Sequence, residues 1–249
     1  MAALTLTVTN MKGGVGKTTF VVNIAATLGK NNKILILDLD PQRNTTPFYT
    51  EVADYKITTI KSVLEGTRKL KNCVVKGKWS DLHVDICKGT TLLNDTGADL
   101  EHLKREIETV KDDYDYILID TRPSAEFLTL SAMIASDMLI VPMELDGYCR
   151  DNLIWQNELY HKVQDNYNLE LKMIICPNKV RNTKSQIAIY TTLVTENAYP
   201  ISDSVIRRRE KVNSAAMMRK PLIKHSVRDE ASQDFEALCS EIVEKLEVR

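Results

Sequence analysis

The 249 residues predict one α/β domain, a doubly wound, mostly parallel β-sheet with helices on both faces, filling positions 1–249. Two observations carry that expectation. Short runs rich in Val, Ile and Leu alternate with segments of helical spacing almost from end to end. Several of the short runs show no polar alternation, the pattern of strands covered on both faces. A chain of this length buries a large core without staples, and 43% hydrophobic with 27% charged residues is an ordinary globular balance.

Taken in order, the expected strands are residues 4–9, 33–38, 83–87, 116–120, 138–142 and 171–176. The expected helices are 18–29, 92–111, 125–135 and 152–166, and 231–246 closes the chain as an amphipathic helix on the body. Strand-helix repetition of this kind gathers ligands at the carboxyl ends of the strands. Five dispersed cysteines with no Cys-x-x-Cys pair read as reduced thiols of a cytosolic chain, and the four histidines lack metal-ligand spacing. A first strand beginning at Leu4 leaves no room for an export signal or an appended DNA-binding domain. No apolar run approaches the roughly 18 residues of a membrane span. A soluble, intracellular protein is expected.

The strongest signal is Lys12-Gly13-Gly14-Val15-Gly16-Lys17-Thr18-Thr19, directly after an apolar strand and before a helix, the context a phosphate loop requires. Glycines let backbone N–H groups curl around phosphate oxygens, and the following helix adds the positive end of its dipole. In such a loop Lys17 reaches the β- and γ-phosphates and the Thr18 hydroxyl ligates Mg²⁺. Met11 stands where the general pattern has its first glycine. Lys12 is the added feature: its ammonium folds back poorly on its own phosphates but can cross a two-fold interface to a partner's nucleotide.

Acidic strand ends supply the rest of a hydrolytic site. Asp38 and Asp40 are two residues apart, hence on one side of an extended chain. Hydrolysis needs a carboxylate near Mg²⁺ and an acceptor that orients the attacking water. Residues 116–120 form an apolar strand ending in Asp120, placed to hold Mg²⁺ through water, although many buried strands end in Asp.

The loop with its Lys12, the run Asp38-Leu39-Asp40-Pro41-Gln42-Arg43-Asn44 and the run Asp120-Thr121-Arg122-Pro123-Ser124 together resemble the deviant Walker A P-loop ATPases of the ParA/MinD family. The likeness spans essentially the whole chain and is closest to ParA/Soj-type proteins without an N-terminal helix-turn-helix extension. It implies ATP and Mg²⁺ as cofactors, with Lys12 acting in trans beside Lys17. It implies that Asp40 positions the water and that Thr18, Asp38, Asp40 and Asp120 serve the metal. Asn178 is expected to pair with the adenine edge, since an amide both donates and accepts, with a plain strand-end turn as the alternative. Arg122 stands where the family has proline, so hydrolysis and its control by a partner are expected to differ.

Toward the C-terminus, residues 205–212 and Arg219-Lys220-Pro221-Leu222 resemble the family segment that borders adenine, which assigns Arg207 to the nucleotide. Residues 179–228 carry eleven Lys or Arg against three acids, a net +8 in a chain of net -1. Such asymmetry fits a nucleic-acid surface, or alternatively a solvated basic face. Arg181, Lys184, Arg208, Lys211, Arg219 and Lys224 are the expected DNA contacts. No aromatic-rich or helix-turn-helix element accompanies them, so binding is expected to ignore sequence.

The resemblance thus implies a nucleoid-associated, cytoplasmic partition ATPase. It dimerises with ATP, coats nonspecific double-stranded DNA and answers to a ParB-like partner, with no membrane involved. A MinD-like membrane-positioning ATPase, or one placing another cargo, is the alternative. Residues 236–249 oppose it with four glutamates against two cations. An iron-sulfur reductase needs cysteines near the switches, and a small-molecule synthetase fits the basic segment poorly.

Overall fold

A computed structural model describes residues 2–51, 58–94, 97 and 99–247. β1 (Leu4–Val8) leads into α1 (Lys17–Leu28), and β2 (Ile34–Asp38) into the one-turn α2 (Thr46–Tyr49) and α3 (Ile60–Leu64). β3 (Val74–Lys76) turns back into β4 (Val84–Cys87), which precedes α4 (His102–Glu108), β5 (Tyr116–Asp120) and α5 (Phe127–Ile134). β6 (Met138–Glu144), α6 (Cys149–Tyr167), β7 (Lys172–Asn178) and α7 (Lys184–Glu196) follow, then α8 (Glu210–Met217), α9 (Leu222–His225) and α10 (Glu230–Glu247).

The strands form one sheet in the order β3-β4-β2-β5-β1-β6-β7, parallel throughout except for the edge pair β3–β4. β1 lies between β5 and β6, so the chain builds outward on one side of it and later crosses to the other. That reversal opens a crevice at the carboxyl ends of the central strands, where ligands of such sheets sit.

Alternation within the strands sorts the layers. Leu6, Val8, Ile34, Ile36, Leu118 and Ile140 face a core shared with α1, α9 and α10. Leu35, Leu37, Ile117 and Ile119 face α3, α4 and α5, and Val141 and Ile175 face α6 and α7. The doubly wound arrangement with both faces covered is as expected. α10 is fastened by Phe235, which meets Phe20 of α1 edge-on at 5.4 Å, and by fully buried Leu238 and Ile242. Each such side chain contributes about 1.5–3 kcal/mol by leaving water.

The expected helix at 92–111 shortens to α4. Residues 95, 96 and 98 of that span lie outside the described residues. At Gly97 the chain passes hard against Phe127, where a Cβ would stand 2.1 Å from the ring. β3 is only three residues long and carries no pattern to betray it. Among the described residues, no helix is long and apolar enough to cross a membrane.

Candidate nucleotide site

The loop between β1 and α1 is shaped by Gly14 at φ +76° and Gly16 at φ +102°, a left-handed region that favours glycine. A Cβ at Gly16 would also fall 2.5 Å from Asn178 Nδ2, so the residue is excluded twice over. Lys17 Nζ donates to the carbonyls of Asn10 (2.9 Å) and Lys12 (3.2 Å), which folds the side chain back along its own loop. Burial lowers its pKa, and the charges of Asp120 and Asp40 oppose that shift. The Lys12 ammonium pairs with Asp146 of the same chain, just past β6. Its backbone N–H donates to Asn10 Oδ1 (2.7 Å).

The end of β7 braces the loop from the side. Asn178 Nδ2 donates to the Val15 carbonyl (2.7 Å), and Asn178 Oδ1 accepts the Lys179 N–H (2.8 Å). Lys179, at φ +54°, sends its ammonium to the Gly14 carbonyl (2.7 Å) and to Glu144 (2.6 Å). The sequence singled out Asn178 as a base-recognition residue. Here part of its amide is spent on the loop, and Lys179 is a contributor that the sequence reading passed over.

β2 and β5 are in register with Asp38 directly opposite Asp120, so the two carboxylates stand side by side on one sheet face. Both are fully buried. Asp120 Oδ2 accepts from the Thr18 hydroxyl (2.9 Å) and the Thr45 hydroxyl (2.6 Å). Asp38 Oδ2 accepts from Thr46 twice, at its N–H (2.9 Å) and hydroxyl (2.6 Å). Burial first, then the neighbouring Asp120 charge, pushes the Asp38 pKa up against the lowering effect of Thr46. Asp120 is raised too, chiefly by burial and less by Asp40, while the bonds from Thr45 and Thr18 pull it down. Gly89, past β4, lets the chain close over this pair: a Cβ there would be 2.8 Å from Asp38 Cγ. Asp40, two residues further along, accepts the Gln42 N–H (2.8 Å) and is 8% exposed. Thr45 and Thr46 directly follow the run that the sequence singled out, and their bonds to the two carboxylates went unread.

This donor set fits Mg²⁺. Asp120 Oδ1 is buried without a hydrogen-bond partner, beside the Thr18 hydroxyl. Among the described residues no trio of His, Cys, Asp or Glu forms a cage. Mg²⁺ ordinarily keeps several waters and takes only one or two carboxylates plus phosphate oxygens. Asp38, by contrast, has Oδ2 occupied by the Thr46 N–H and hydroxyl.

A cavity of about 150 Å³ opens beside the loop, lined by Gly16, Thr19, Asn178, Arg207, Arg208 and Asn213 among others. It adjoins the phosphate loop at Gly16. Arg207 lines it, but its guanidinium is bound to Asp234 (2.7 Å) and faces Glu230 (3.3 Å), both at the start of α10. Arg209 reaches the same Glu230 (2.9 Å). Arg122 reaches Glu126 at 3.6 Å.

Of the six expected DNA contacts, Arg181 and Lys184 stand at the start of α7, Arg208 before α8, Lys211 within it and Arg219 just after it, all exposed. Among the described residues none of these five has a carboxylate within 4 Å. Lys224, in α9, differs: it is half-buried and pairs with Asp81 of the β3–β4 turn.

Comparison with known proteins agrees with this architecture. An "AAA domain" family model matches residues 3–173. The sporulation initiation inhibitor protein Soj of Bacillus subtilis is 29% identical over 250 residues, covering 95% of this chain and 97% of that one. A plasmid partition protein of Borrelia burgdorferi bound to AMPPNP shares the fold with a TM-score of 0.85 at 22% identity, over 98% of this chain and 99% of that one. Cobyrinic acid a,c-diamide synthase of Mycobacterium smegmatis, with ADP and magnesium, superposes with a TM-score of 0.82 at 20% identity, over 99% and 96% of the chains. A fold shared by a partition protein and a synthetase does not choose between them, and the full-length match is to Soj. The chain belongs to the ParA/MinD family of P-loop ATPases.

Proposed function

We propose that the protein is a ParA-type partition ATPase: it dimerises on ATP, binds duplex DNA without regard to sequence, and releases it when a ParB-like partner stimulates hydrolysis. The observation that carries this reading is the set of exposed cations on and flanking α7 and α8, with no carboxylate partner among the described residues, on a chain whose relatives are partition proteins. A membrane-targeting reading is disfavoured by α10, whose apolar face is packed against α1 rather than available to lipid.

In this reading the backbone N–H groups of residues 13–19 surround the phosphates, and Lys17 swings from the carbonyls of Asn10 and Lys12 onto phosphate oxygens. Thr18 and Asp120 hold Mg²⁺, which supplies charge to the phosphates when bound. Asp40 accepts from the attacking water and orients it. Lys12 leaves Asp146 for the partner's nucleotide as two subunits meet, so dimerisation is tied to ATP. Asn178 and the cavity beside it receive the base.

The test is nonspecific duplex binding with ATP, with ADP and without nucleotide, across a salt series. Contacts with about three phosphates per subunit give a dimer a log-log salt slope near -5. ATP should be required, because two weak patches bind well only when one rigid dimer presents both. Nucleotide-independent or absent DNA binding overturns the reading. Lys12→Ala should retain some ATP binding yet remain monomeric by light scattering.

A further inference from the structure

The one-turn helix α2 begins on the threonines that hold Asp120 and Asp38. A helix this short leaves its last carbonyls without partners of its own, and the turn between β3 and β4 supplies partners for those of residues 47–49. Lys78 Nζ donates to the Pro47 carbonyl (3.0 Å), Trp79 Nε1 to Phe48 (2.8 Å) and the Lys78 backbone N–H to Tyr49 (2.8 Å). In the other direction the same turn is tied to α9 by the Lys224–Asp81 pair. The ammonium groups of Lys78 and Lys224 lie 5.4 and 5.8 Å from the centre of the Trp79 ring.

Arg219 and Lys220, from the junction of α8 and α9, add to this cluster. Burial is the first cause that lowers the Lys78 pKa, and their two charges lower it further while Glu51 opposes. Cations from two distant segments therefore converge around one half-buried indole. The acid that answers Lys224, Asp81, is itself exposed, and such surface pairs are worth little and yield to a better anion. At Arg219 and Lys220 opens a cavity of about 280 Å³ whose other lining residues include Thr18, Asn44, Pro47 and Phe48. That space connects the basic surface to the phosphate loop.

We infer that the β3–β4 turn is a second contact for the phosphate backbone of duplex DNA and that it relays this contact to the catalytic carboxylates. When Lys78 and Lys224 take phosphate partners, the Pro47 carbonyl and Asp81 lose theirs. One of the three ties between the turn and α2 is then released, and Thr45 and Thr46 shift against Asp120 and Asp38. DNA alters ATP turnover through this route and not merely by holding the dimer together. The inference rests on the DNA-binding reading above and adds to it the element that links surface to site.

The experiment compares Lys78→Met with Lys211→Ala in the full chain with Mg²⁺-ATP and random-sequence duplex. The methionine keeps an aliphatic stem against Trp79 and removes both charge and donor. Lys78→Met should bind several-fold more weakly, flatten the salt slope by about one unit and lose the change in turnover at saturating duplex. Lys211→Ala, on α8, should also bind more weakly but keep that change at saturation. Lys78→Arg should restore both properties, which separates loss of charge from loss of fold. In a Trp155→Phe background, duplex should shift Trp79 emission. Wild-type affinity, slope and DNA response in Lys78→Met overturn the inference, as does a wild-type turnover that saturating duplex leaves unmoved. Preferential binding of phosphatidylglycerol vesicles through Lys78 overturns it as well. Failure of the wild type to bind duplex with ATP instead removes the partition reading itself.

Discussion

Lys17, Asp38 and Asp120 are at most 7% exposed, and each is held by bonds from a neighbouring loop or strand end. α7 and α8, which carry Lys184 and Lys211, bury one residue apiece, Leu193 and Ala215. The two regions are built to different tolerances because their tasks differ. Phosphoryl transfer gains from donors and acceptors fixed before the reaction begins, and fixing them requires burial and bonds on every side. Neutralising a polyanion needs charge at a suitable spacing, which flexible side chains on thinly packed helices provide. Substitutions should therefore be severe and specific in the first region, mild and additive in the second.

The largest expected effect is Asp40→Ala, which removes the acceptor that orients water while Lys17 and Thr18 still hold nucleotide. Turnover should fall by about 10²-fold or more, with the ATP dimer persisting in gel filtration. Unchanged steady-state hydrolysis would erase the contrast at its strongest point. Next comes Gly16→Ala, which forces an L side chain into φ +102° and onto Asn178. A cost of roughly 1–3 kcal/mol is expected. At about 2–4 °C per kcal/mol the loss is visible as a lowered Tm, together with weaker nucleotide binding as Asn178 lets go of Val15.

The buried carboxylate pair gives a prediction of opposite sign. The raised Asp38 pKa means that the native state prefers the protonated acid. Its contribution is fully present below the unfolded value of about 4 and is lost as pH rises toward the elevated native value. With chelator and no nucleotide, Asp38→Asn should raise Tm at pH 8 and converge with wild type near pH 4, by about 2–4 °C for each kcal/mol recovered. A parallel pH profile for the two proteins rejects this account. The smallest effect sharpens the comparison from the other side. Arg219 sits at φ +51°, a conformation that costs a non-glycine residue about 1 kcal/mol. Arg219→Gly should stabilise the fold by about that amount in urea melts while lowering duplex affinity. If stability does not rise, the strain is not a cost carried for binding.

The sequence was legible where local chemistry and packing agreed. The phosphate loop, the runs ending at Asp38 and Asp120, and the amphipathic residues of α10 all carried signals that the fold obeys. α7 was missed because Ile187, Ile189, Thr191, Thr192 and Val194 are β-branched and only Leu193 is buried, so neither propensity nor periodicity marked it. Its Thr183 cap, which accepts the Gln186 N–H, and Asn197 at φ +47° were the available signals. The partners of Lys12, Asn178 and Arg207 could not be read, because Asp146, Val15 and Asp234 are brought to them by the sheet and not by the chain. The same holds for Lys224 and Asp81, 143 residues apart.

The alignment of Val8 and Asp38 with Asp120 across three adjacent strands has a consequence for how the protein fails. A slip of one residue between β2 and β5 turns one carboxylate to the opposite face of the sheet. Loosening of the antiparallel edge at β3 leaves the Asp38–Asp120 register in place. The amides of β1 and β5 should accordingly be the last to exchange with solvent, and the first molecule to open there is already fully unfolded. The register of this pair has no partial form.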